Sequence, residues 1–236
     1  YIPELKLGIE VNGTYWHSEK YKESSYHQNK TLAALKSGIR LIHLFEYELM
    51  KDESLGKIEG YLSSIICKPN TIYARKCDIK KLQVNEYKPF LEFYHLQGSA
   101  GCDVAYGLYY NQNLVGVMSF GKPRYNANYE WELIRLCWLP GVVVIGGAEK
   151  LLKHFEREYK PKSCITYSDA CKFSGMVYKR LGFEYDGITE PNYKWVNTTT
   201  GDILARYQTM KHKLVERHLG TEEQTESEIM SSLGYI

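Results

Sequence analysis

Glu10, Asn12, His17 and Glu19 lie close together near the start of this 236-residue chain, and Lys30 follows soon after. Hydrolysing a phosphodiester needs a divalent metal on oxygen ligands, a group that activates water, and a cation near the phosphate. Glu10 is the candidate metal ligand in such a set, with Asn12 and Glu19 as further oxygen-bearing groups. His17 could act as a general base or acid near neutral pH. Lys30 could hold a phosphate, and it shares a helical face with His27, three residues earlier. The plainer account is that these are polar residues at the ends of a strand and a helix.

These residues need elements to position them. Leu5–Val11 alternates apolar and polar residues with period two, which predicts a strand with Glu10 in its interior. Asn12-Gly13 is the dipeptide best suited to a tight turn with positive φ. A helical pattern runs from Glu19 to Ser37, with Gly38 as its stop. Gly38–Phe45 reads as a buried strand, and Ser54–Cys67 as a helix closed by Lys68-Pro69-Asn70.

Beyond that break the spacing predicts a strand over 72–82, a helix over Glu86–His95, and a hairpin-like pair, Val104–Tyr110 and Leu114–Phe120. A strand over Tyr129–Trp138, a loop over Leu139–Gly146 and a helix over Gly147–Tyr159 follow. A strand over Ser163–Ser168, a helix over Ser174–Leu181 and a last strand beginning at Gly182-Phe183-Glu184-Tyr185 complete the series. That order implies one mixed sheet covered by helices.

The stretch Pro3 to Glu19, the helix bearing His27 and Lys30, and Gly38-Ile39-Arg40-Leu41-Ile42-His43-Leu44-Phe45-Glu46 resemble the very-short-patch-repair (Vsr) endonucleases. They resemble even more the Vsr-like nuclease domains of phage homing endonucleases. The resemblance covers residues 1–70 and implies a restriction-endonuclease-like fold that cuts or nicks DNA with Mg²⁺. His17, after Trp16, matches the family's histidine, whereas Asn12 stands where the repair enzymes carry another histidine. The resemblance also implies a metal-binding Asp two residues before Tyr1 and an acidic residue on an earlier helix. On that alignment the chain opens inside a longer polypeptide and would bind DNA but cut poorly by itself.

From Thr71 the strand order matches the general N-acetyltransferase (GNAT) topology. The glycines at Gly146 and Gly147, with Ala148, would let backbone amides approach the pyrophosphate of coenzyme A at a helix N-terminus. The family's usual basic residue before the glycines is absent, and Val142-Val143-Val144-Ile145 is apolar. A Gly-Gly-Ala helix start more often reflects close packing. Glu132-Leu133-Ile134-Arg135, Gly147–Leu152, Tyr167-Ser168-Asp169 and Gly175-Met176-Val177-Tyr178 with Gly182-Phe183 look like the phage Mom-type DNA-modification proteins, GNAT relatives that act on bases in DNA. By that likeness Arg135, Ser168, Asp169 and Tyr178 line a central cleft. Asp169 would be a base or would orient a substrate amine; a helix cap is the competing reading.

Charge is balanced over residues 1–70, positive over 71–213 and negative over 214–236, for a net charge of +2. Lys122, Arg124 and Tyr125, and again Arg206, Lys211 and Lys213, mix cations with aromatics in a way that favours phosphate contact and base stacking. Taken singly, each run fits a solvated surface, and the 21 tyrosines suit strand packing as well as stacking. The six cysteines form no C-x-x-C pair, which argues for free, buried thiols in a reducing cytoplasm. No apolar run approaches a membrane span.

The expected fold class is therefore α/β (α+β), with an incomplete Vsr-like unit over 1–70, a GNAT-like domain over 71–213 and a solvated acidic tail over 214–236. The leading expectation is a Mg²⁺-dependent DNA endonuclease. The alternatives are a transferase that modifies DNA bases with acetyl-coenzyme A or another acyl donor, and a DNA-binding chain without catalysis.

Overall fold

The computed structural model describes residues 1–14, 25–50, 52–190 and 192–236. In chain order the elements begin with β1 (Leu7–Asn12), α1 (Tyr26–Lys36), β2 (Arg40–Phe45), α2 (Glu46–Leu49), α3 (Asp52–Ile66), β3 (Asn70–Tyr73) and β4 (Asp78–Lys81). Next come α4 (Val84–Tyr94), β5 (Val104–Tyr110), β6 (Asn113–Gly121), β7 (Trp131–Trp138), β8 (Val142–Ile145), α5 (Gly147–Tyr159) and β9 (Cys164–Thr166). The series ends with α6 (Met176–Arg180), β10 (Lys194–Val196), β11 (Ile203–Ala205), α7 (Arg206–Thr209), α8 (Lys211–Glu216) and α9 (Glu226–Ser232). The fold is α+β, and among the described residues no helix is long and apolar enough to cross a membrane.

The chain forms two compact units that are not contiguous in sequence. Unit 1 comprises Tyr1–Asp52, Ala170–Ser174 and Asp186–Ile236; unit 2 comprises Glu53–Asp169 and Gly175–Tyr185.

Unit 1 holds β1 and β2 as a parallel pair, Glu10 opposite His43 and Asn12 opposite Phe45. Parallel neighbours need a crossover, and α1 lies in the connection between them. Asn12 ends β1 fully buried, and neither it nor Gly13 takes positive φ, so the tight turn expected at Asn12-Gly13 does not form. The segment 170–174 supplies β2 with a further partner, through His43 N–H to the Cys171 carbonyl at 2.9 Å and the Arg40 guanidinium to the Lys172 carbonyl at 3.1 Å. Lys172 is buried, and its ammonium donates to the His43 carbonyl and to Glu48 Oε2.

The antiparallel pair β10–β11 shares unit 1 with a small core of Leu214, Ile229 and Met230, against which Trp195, Leu204 and Tyr235 pack. Glu226 gathers this region by accepting hydrogen bonds from Tyr193, Trp195 and Thr209 on one carboxylate oxygen. Residues 214–236 are thus not simply a solvated acidic segment. Glu216, Glu222, Glu223 and Glu228 are exposed, whereas Glu226 is half-buried and two apolar residues of α9 are completely buried.

Unit 2 is built on a five-stranded sheet in the order β4-β5-β6-β7-β9, antiparallel except for the parallel pair β7–β9. Side chains alternate across a strand, so each face recruits its own helix. Tyr106, Leu108, Met118, Phe120 and Leu133 join α5 through Leu151, Leu152 and Phe155. Ala105, Val117 and Cys137 join α4 through Tyr87, Phe90 and Leu91. All six cysteines are free, Cys77 and Cys137 being buried.

Three expectations fail here. The predicted loop between β7 and α5 contains β8, because its β-branched run pairs in parallel with β3 and sends Val144 into the core. Residues 182–185 form no strand; Phe183 packs against the core and Tyr178 without strand hydrogen bonds. The expected single strand over 72–82 is also broken, by a 3₁₀ turn over Ala74–Lys76.

Candidate functional site

The residues that sequence spacing nominated in unit 1 converge on the β1–β2 pair, insofar as they are described. His17 and Glu19 lie outside the described residues. Glu10 and His43 are register partners and so face the same side, 3.4 Å apart from Oε2 to Nδ1. Lys30, on α1, binds the other carboxylate oxygen of Glu10, and that hydrogen bond raises the lysine pKa, keeping it cationic. Lys30 is therefore committed to Glu10 rather than standing free for a phosphate.

His43 is completely buried and was not singled out from the sequence. Its signal was a polar residue inside the apolar run Leu41-Ile42-His43-Leu44-Phe45. The Thr31 hydroxyl lies 2.9 Å from the His27 carbonyl oxygen and 3.0 Å from His43 Nε2, so it ties α1 to the buried imidazole. Its Nδ1 meets the Asn12 amide at 3.3 Å, and Asn12 Nδ2 also reaches the Leu44 carbonyl at 3.4 Å. His27 packs edge-on between His43 and Phe45, at centroid distances of 5.1 and 5.2 Å.

Two oxygens in this cluster remain unmet. Among the described residues Glu10 Oε2 and Asn12 Oδ1 are buried without a hydrogen-bond partner. They lie two residues apart on β1, hence on one face. Unmet acceptors of this kind suit a hard cation or an ordered water. Among the described residues no three His, Cys, Asp or Glu side chains cluster to form a metal cage. Mg²⁺ is commonly held by one or two carboxylates with waters and substrate phosphates, so the pair of oxygens fits it as a partial ligand set.

In unit 2 the sequence-nominated residues divide differently. Arg135, on β7, is nine-tenths buried. Gly146 is the αL N-cap of α5, which has no side-chain cap, while Ala148 is part of its first turn. Gly147 is a packing residue: a Cβ there would meet the Trp138 ring at 2.7 Å and Val144 at 2.9 Å. Gly147→Ala should cost about 1–3 kcal/mol, read as a lowered urea midpoint. Asp169 is half-buried beyond β9, and α6 begins only at Met176 with Gly175 as N-cap, so Asp169 does not cap that helix.

Of the expected DNA contacts in unit 2, Lys122 and Tyr125 are exposed, whereas Arg124 is bound through its side chain and backbone N–H to the buried Glu132. In unit 1 Arg206 opens α7 and lies over the Tyr193 ring, while Lys211 and Lys213 lie on α8. Lys213 stacks on Tyr207, which is exposed.

Burial, then the charges of Arg135 and Lys57, lowers the pKa of His95 to about 3. An unfolded histidine titrates near 6.5, so the unfolded chain takes up a proton between those values that the folded chain refuses. The neutral form's contribution is complete above pH 6.5 and is lost as pH falls toward 3. Stability should decline over that window by at most about 1.4 kcal/mol per pH unit from this residue, a component that His95→Gln removes from urea midpoints.

No protein family and no curated protein matches the chain. Among solved structures, a GNAT-family acetyltransferase from Streptococcus pneumoniae TIGR4 is similar at TM-score 0.38 and 18% identity, over 52% of this chain and 98% of that one. So slight a likeness carries no argument about chemistry, and the functional reading rests on the sites themselves.

Proposed function

We propose that unit 1 is a Mg²⁺-dependent DNA endonuclease centred on Glu10. The observation that carries this reading is the pair of buried, unmet oxygens, Glu10 Oε2 and Asn12 Oδ1, beside the Lys30 ammonium. Those two oxygens would hold the metal, which when bound supplies Lewis acidity toward a phosphate and its attacking water. Lys30 fixes one oxygen of Glu10, and buried His43, oriented by Thr31 and Asn12, stands beside the other. In unit 1 the DNA backbone would be met by Arg206, Lys211 and Lys213 beside the exposed ring of Tyr207.

Supercoiled plasmid is the test substrate. Conversion to open circle or linear DNA that requires Mg²⁺ and stops with EDTA supports the proposal; intact plasmid at all Mg²⁺ and Mn²⁺ concentrations argues for the non-catalytic DNA-binding alternative. Binding should weaken steeply with added salt, because phosphate contacts release counterions.

A second reading makes unit 2 a transferase that modifies DNA bases with an acyl donor such as acetyl-coenzyme A. It is favoured by the uncapped first turn of α5 behind the exposed Gly146, whose amides suit a phosphate. Asp169 would then serve the acceptor amine. Calorimetry with acetyl-coenzyme A tests it, and absence of heat removes that donor.

A further inference from the structure

Unit 2 buries a cation for which neither reading above has a use. Arg135 lies on β7 two residues beyond Leu133, where the pairing with β9 stops at Leu133–Thr166. From there β7 keeps β6 as a neighbour, with Arg135 opposite Ser119, while its other side is no longer paired with β9. Arg135 thus lies on the part of β7 beyond its pairing with β9, and only 9% of the residue is exposed.

A buried charge ordinarily has a counter-charge in contact. The neighbouring carboxylate, Glu132, is fully buried and engaged by Arg124 through a backbone N–H, Nε and Nη2. Arg135 instead donates Nε to the Gly98 carbonyl and Nη1 to the Ile134 carbonyl, both at 3.0 Å. Two of its five N–H groups are thereby met. Among the described residues Nη2 makes no hydrogen bond, and it is not one of the unmet atoms sealed from solvent. The end of the guanidinium formed by Nη1 and Nη2 therefore keeps a two-pronged set of donors, the fork that matches a carboxylate or phosphate.

Nearby charge supports this. Burial and the adjacent Arg124 both work against the Arg135 cation, and Glu132 offsets them only in part. Tyr178, itself largely buried with its pKa raised by desolvation, stands near as a neutral neighbour.

We propose that Arg135 is an oxyanion receptor, and that unit 2 binds a small ligand by a carboxylate or phosphoryl group gripped by Nη1 and Nη2. The proposal is independent of the nuclease reading of unit 1 and of the acyl donor in the second reading.

The test uses the whole chain, ¹⁵N-labelled, titrated separately with sodium phosphate and sodium acetate at constant ionic strength maintained with sodium chloride. The Arg135 Nε–Hε signal, assigned by its absence in Arg135→Lys, is expected to shift saturably with at least one of the two, which also identifies the preferred oxyanion. Arg135→Gln should weaken binding about tenfold or more, read in both variants from the backbone amide signals that shift in the wild-type titration, as loss of a charge-assisted fork predicts. If Arg135→Gln fails to fold, Arg135→Lys keeps the charge without the fork, and its affinity should still fall. A wild-type signal that does not saturate with either anion overturns the proposal, as does equal affinity in the folded variants.

Discussion

Glu10→Gln should reduce Mg²⁺-dependent plasmid cleavage on the order of 10²- to 10³-fold while leaving the melting temperature nearly unchanged. The substitution keeps the shape of the side chain but removes the negative charge that a hard cation needs. Its effect on stability is small because the Lys30–Glu10 pair is part-exposed, with side chains 42% and 22% accessible. Such pairs contribute about 0–1 kcal/mol. The contrast is diagnostic: an unaltered fold with lost cleavage places Glu10 at the reacting centre. Equal cleavage by Glu10→Gln and the parent chain would remove Glu10 from the mechanism and with it the proposed site.

The largest effect on stability is expected from Phe155→Ala in α5. Phe155 is completely buried and stacks on Phe120, with centroids 3.7 Å apart and rings 4° from parallel. It also meets Trp131 edge-on at 5.1 Å and lies against Tyr159 at 5.3 Å. Truncation removes an aromatic ring from a packed site whose neighbours are held by strands and cannot readily collapse. A loss of about 3–5 kcal/mol follows, a large share of the 5–15 kcal/mol typical of a folded protein. Urea unfolding measures it. Phe155→Leu, which leaves less empty space, should cost clearly less, and near-equal losses would show that volume is not the controlling quantity.

How much of this could be read in advance depended on whether the signal was local. The strands β5 and β6 and the helix α5 emerge close to their predicted limits, because their apolar patterns repeat over seven or more residues. The run Gly182–Tyr185 had the right composition for a strand, but sequence does not say whether a neighbouring strand is available. The run Val142–Ile145 has the reverse history: it sits in an expected loop, yet β3 provides the partner. For the Glu10 site, Glu10, Asn12 and Lys30 were legible as chemistry-bearing residues at close spacing. His43 required the β1–β2 register, and Lys172 required a fold in which residues 129 positions apart hydrogen-bond. Neither relation leaves a periodic trace.

The division of unit 1 into three stretches bears on how the protein is made. A ribosome releases the β1–α1–β2 segment long before Lys172, and α9 later still, so unit 1 cannot close its hydrogen bonds while synthesis proceeds. Unit 2 has all its described strands in one uninterrupted stretch and can condense first. Contacts across such long separations are slow to form because the intervening chain must first give up its freedom. The early segment should therefore spend its first seconds as an unfinished strand pair, dependent on chaperones or on the speed of translation, and chains truncated before residue 170 should be cleared as misfolded.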